Sequence, residues 1–126
     1  MIFNQVSKRV KLERADIVKY QLLTHFYLEK INVSQADLEC LTMLVFNPEI
    51  DLTDFCNHAS DEGIFKTPQS VRNAVSRFER MGVIDKAGKS RKVIKVSDKL
   101  NIQSQGNILL DYKFVSIEPE EVQRNS

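Results

Sequence analysis

Soft metal ligands are scarce in this 126-residue chain: two cysteines, Cys40 and Cys56, and two histidines, His25 and His58. They lack the paired CxxC or HxxxH spacing that a structural metal site needs, so no metal is expected. Cys56 and His58 form an isolated C-x-H, which reads as a small buried thiol beside a surface imidazole. No apolar run approaches the roughly 18 residues of a membrane span, so no membrane association is expected. The opening stretch MIFNQVSKRVKLERAD has no apolar core of the kind a secretory signal carries. The expected location is therefore cytoplasmic, a reducing compartment where a disulfide is not expected either. A phosphate-binding glycine loop, a nucleophile elbow and a His-Glu metal motif are also absent. No enzyme is expected, and no catalytic residue or cofactor is assigned.

What the chain does have is uneven charge. Its net charge is only +1. Lys66, Arg72, Arg77, Arg80, Lys86, Lys89, Arg91, Lys92 and Lys95 nevertheless fall within one stretch that holds just two acids, Glu79 and Asp85. That stretch carries +7, and the rest of the chain carries −6. Proteins that grip a polyanion through one face show this asymmetry.

Local signals divide the chain into elements. RVKLE alternates and predicts an edge strand. Residues 15–31, ADIVKYQLLTHFYLEKI, fit both a strand-like and a helical period; their length without Gly or Pro favours a helix. Ser34 stands three residues before Asp37, a start signal for a helix over 34–46 that Asn47-Pro48 ends. A short extended piece, 49–52, leads to a helix over 53–62, with Asp51 or Thr53 as cap and Gly63 as stop. Thr67-Pro68 opens a helix over 67–81, whose Val71, Ala74, Val75, Phe78 and Met81 share one face and which Gly82 closes. A hairpin over 83–96 follows. Gly106 precedes another alternating strand, NILLDYKFVSIE, that could pair with RVKLE.

The order of helix, short strand, helix, helix and hairpin resembles the winged helix-turn-helix. The resemblance rests on SQADLECLTML, DLTDFC, TPQSVRNAVSRFERMGVI and the basic hairpin. The turn SDEGIFK is longer than a tight helix-turn-helix allows. The fold class implied is α+β: a three-helix core with a β-hairpin wing, plus an N-terminal helix and a C-terminal strand. It would form one domain over 1–117 with its core at 33–96, followed by an acidic tail over 118–126. FKTPQSVRNAV and IQSQGNILLDYKF also resemble segments of small proteins of crAss-like phages that infect Bacteroides, which implies a phage or mobile-element origin.

The expected partner is double-stranded DNA. Helix 67–81 would lie in the major groove, presenting Gln69, Arg72, Asn73, Ser76, Arg77 and Arg80, because Arg pairs with guanine and Asn or Gln with adenine. Lys66, Thr67 and Ser70 would meet phosphate at the helix N-terminus. Lys86, Lys89, Arg91, Lys92 and Lys95 of the hairpin would sit on the backbone. Arg72 and Arg77 lie off the apolar face, so replacing both is expected to leave folding intact. A homo-oligomer is expected, since one such module reads few bases. The alternative is a structural subunit of a phage particle (ring, adaptor or other virion component), contacting other phage structural proteins through the same fold.

Overall fold

The computed structural model describes residues 3–88 and 92–117. Strand β1 (Phe3–Lys11) leads into helix α1 (Arg14–Leu28) and helix α2 (Gln35–Val45). A two-residue strand β2 (Ile50–Asp51), helix α3 (Leu52–Asp61) and helix α4 (Pro68–Arg80) follow. Strands β3 (Ile84–Ala87) and β4 (Val93–Val96), a 3-10 turn (Asp98–Leu100) and strand β5 (Leu109–Ile117) complete the order. The expected α+β fold of three core helices, hairpin wing, N-terminal helix and C-terminal strand is present.

The helix ends follow their local chemistry. Ser34 and Asp37 form a reciprocal capping box, with Ser34 Oγ accepting from the Asp37 amide at 3.0 Å and Asp37 Oδ2 from the Ser34 amide at 3.1 Å. Asp51, not Thr53, caps α3, so that helix begins one residue earlier than expected. Thr67 caps α4, with Pro68 as its first residue. Gly82 takes φ +78°, which lets the Val83 amide reach back to the Phe78 carbonyl at 2.9 Å and turns the chain directly into β3. α1 stops short of Ile31 because Lys30 adopts φ +59° and the Ile31 amide closes onto the Phe26 carbonyl at 2.8 Å.

The core collects one face from each helix. Val18, Leu22 and Phe26 of α1 join Leu38, Leu41 and Leu44 of α2, Phe55 and Ala59 of α3, and Val71, Val75 and Phe78 of α4. The ambiguous period of α1 resolves physically: Leu22 and Phe26 are buried, whereas Leu23 and Tyr27 face solvent. Met81, expected on the apolar face of α4, instead becomes the exposed C-terminal cap residue. The sheet order β2-β4-β3 is antiparallel, with Ile50 opposite Ile94 and Ile84 opposite Val96. Buried Ile84 and Ile94 fasten this wing to the helices. β1 and β5 pair antiparallel along their full length, Phe3 with Ile117 through to Lys11 with Leu109, as the alternation suggested.

Cys40 is fully buried, and burial with the nearby Asp37 carboxylate pushes its thiol up from 9.0 to about 12. Cys56 is also buried and shifted upward, chiefly by burial. A group that ionises more readily unfolded than folded withdraws stability as pH rises. Denaturant melts should therefore lose stability from pH 9.0 upward towards about 12, and Cys40→Ala should flatten that loss. Phe78→Ala should cost about 3–5 kcal/mol in the same assay at neutral pH.

Candidate nucleic-acid interface

With Val71, Ala74, Val75 and Phe78 committed to the core, the opposite side of α4 must face water. Gln69, Asn73 and Arg80 are exposed there, and Ser70, Arg72, Ser76 and Arg77 are half-buried along its flanks. Gln69 Nε2 donates to Asn73 Oδ1 at 2.9 Å, so these two amides stand side by side one turn apart. Ser70, Asn73, Arg77 and Arg80 surround an open depression of about 450 Å3 together with Phe65. At the helix start, Thr67 Oγ1 accepts from the Ser70 amide at 3.1 Å and lies 3.0 Å from Ser70 Oγ. Lys66 is exposed immediately before it.

The basic side chains are not equivalent. Among the described residues no acid pairs with Lys66, Arg72, Arg80 or Lys92. Arg72 reaches Thr53 Oγ1 at 3.3 Å, which adds the first turn of α3 to the same surface. Lys86 meets Glu79 at 3.3 Å, across the corner between wing and helix. Lys95 meets Asp98 at 3.0 Å; that hydrogen bond and charge hold its ammonium above the ordinary lysine value. The Lys95–Asp98 pair, whose acid is exposed, contributes little to stability, whereas the Lys86–Glu79 pair is half-buried on both sides. Lys89 and Arg91 lie outside the described residues.

Arg77 behaves differently. Its Nη2 donates to Asp37 Oδ1 at 2.8 Å, and its guanidinium carbon lies 5.0 Å from the centre of the Phe78 ring. The Asp37 side chain is 8% exposed and that of Arg77 43%. The pair ties the capping box of α2 to the last turn of α4. The expectation that Arg77 can be removed without touching the fold is thereby corrected: its loss would strand a buried carboxylate oxygen. Sequence spacing could not reveal this contact, because its partners stand 40 residues apart.

The wing is anchored at both ends. The Ser97 amide donates to the Val83 carbonyl at 2.7 Å, and the Leu52 amide to the Lys92 carbonyl at 2.6 Å. These bonds hold the hairpin beside α3 and α4, so Lys86, Lys92 and Lys95 lie on an element neighbouring α4.

No protein-family model and no curated protein matches the chain. Among solved structures, a zinc uptake regulator complexed with zinc and DNA aligns with 79% of this chain and 73% of its own length, at a TM-score of 0.60 and 11% identity. The fold is a winged helix. At that identity the likeness speaks for the fold alone. The described residues contain no group of three or more His, Cys, Asp or Glu side chains placed to hold a metal. No helix among them is long and apolar enough to cross a membrane.

Arg77→Ala should destabilise the protein by about 1–3 kcal/mol in denaturant melts, the cost of a buried acceptor left without its donor. Arg72→Ala, whose partner is an exposed hydroxyl, should change stability by less than about 0.5 kcal/mol.

Proposed function

We propose that this protein binds double-stranded DNA without catalysing a reaction, with α4 in the major groove and the hairpin on the phosphate backbone. The observation that carries this reading is the solvent face of α4: side-by-side amides, Gln69 and Asn73, flanked by Arg72 and Arg80, which no acid neutralises among the described residues. Amides and forked guanidiniums are the groups that match adenine and guanine edges. Thr67 and Ser70 at the start of α4, with Lys66, would take a phosphate there. Lys86, Lys92 and Lys95, with Lys89 and Arg91, would track the backbone. Ser76 and the free edge of Arg77 complete the helix surface. The DNA in the structure of the fold neighbour supports the same use of a winged helix. A phage or mobile-element origin, like a role inside a phage particle, rests on sequence resemblance alone.

Selection from a randomised duplex pool should recover a preferred site. Asn73→Ala and Arg80→Ala should each cost about 1–3 kcal/mol on that site and relax the preference at one position. Lys66→Ala and Lys92→Ala should weaken all duplexes evenly. Failure to enrich any duplex, with the wild type folded, would contradict base reading by α4.

A further inference from the structure

β1 and β5 form a two-stranded ribbon, and among the described residues neither outer edge meets a further strand. Such a ribbon is marginal in water by itself. Its root is held, because Leu109 and Leu110 line a cleft of about 450 Å3 with Ile17 and Tyr20 of α1. Its far half is not covered. The pairing register places Val6 and Phe114 on one face, and Val115 and Ile117 on the other. All four are exposed, Phe114 to 68% and Val6 to 52%. Exposed apolar side chains on both faces of a ribbon mark a contact surface.

We propose that β5 pairs edge to edge with β5 of a second copy of this chain, antiparallel about a two-fold axis at Tyr112. Charge chooses the edge. β1 carries Lys8 and Arg9 with no acid, so self-pairing there could form no opposite-charge pair in any register. β5 carries one acid and one base, Asp111 and Lys113, on either side of Tyr112. Charge also chooses the register. Centred on Tyr112, Asp111 of each copy faces Lys113 of the other, and Leu110 faces Phe114. A two-residue shift would place Lys113 against Lys113, or Asp111 against Asp111. A one-residue slip would bring opposite faces of the pleat together. Arg9 already holds Asp111 at 3.4 Å, so the joined sheet would carry an alternating row of charges across its centre. The strand order becomes β1-β5-β5-β1, with both faces of the apolar half extended by the second copy. This inference is independent of DNA binding.

Sedimentation equilibrium of the full chain tests it. The wild type should be dimeric at tens of micromolar. Asp111→Lys and Lys113→Asp each set like charges opposite one another in a homodimer, and each should weaken the dimer about tenfold or more while circular dichroism stays unchanged. Mixed in equal amounts, the two variants again present opposite charges, and the dimer should return. That rescue separates the intermolecular contact from the lost Arg9–Asp111 pair, which mixing cannot restore. A monomeric wild type, a dimer indifferent to both reversals, or no rescue on mixing would overturn the proposal.

Discussion

Phe78 decides which side of α4 the solvent sees. Its ring is buried with its centre 6.4 Å from that of Phe26, and Val71, Ala74 and Val75 follow it into the same core. Helical periodicity then leaves Gln69, Asn73 and Arg80 nowhere to go but outward. The polar face of the helix is thus a consequence of the packing of its apolar face. The same packing sets the wing, because Gly82 turns the chain within two residues of the helix and the Val83 amide returns to the Phe78 carbonyl.

A second constraint works on charge. Arg77–Asp37 joins α4 to the capped start of α2, so one guanidinium of the basic stretch serves the fold before it serves any ligand. Lys86 and Lys95 are held more loosely, by exposed or half-exposed acids. Among the described residues no acid pairs with Lys66, Arg72, Arg80 or Lys92. The described cations of the +7 stretch are therefore not equivalent: one is held by a buried acid, two by more exposed ones, and four by none among the described residues.

Much of the fold was legible because its boundaries are written in short-range chemistry. Ser34 with Asp37, Thr67 with Pro68, and Gly82 act within four residues of where they stand, and the helices start or stop there. The pairing of RVKLE with the C-terminal strand was also readable, since both alternate. Long-range contacts were not. Neither the Arg77–Asp37 pair nor the Arg72–Thr53 contact leaves a mark on local periodicity, and both change what those arginines can do. Met81 shares the apolar face on a helical wheel, but the helix ends at Arg80 and leaves it exposed. In the candidate site, the residue types were legible on the face of α4, while their division into paired and unpaired cations required the third dimension.

The measurement that tests the DNA reading most directly is the affinity for a mixed-sequence duplex across a salt series, followed by fluorescence anisotropy. If about five to seven of the basic groups meet phosphates, log affinity should fall against log salt with a slope of about −5. A slope near zero, or no binding at low salt, would contradict a phosphate-gripping face and would assign the basic hairpin to a protein contact instead.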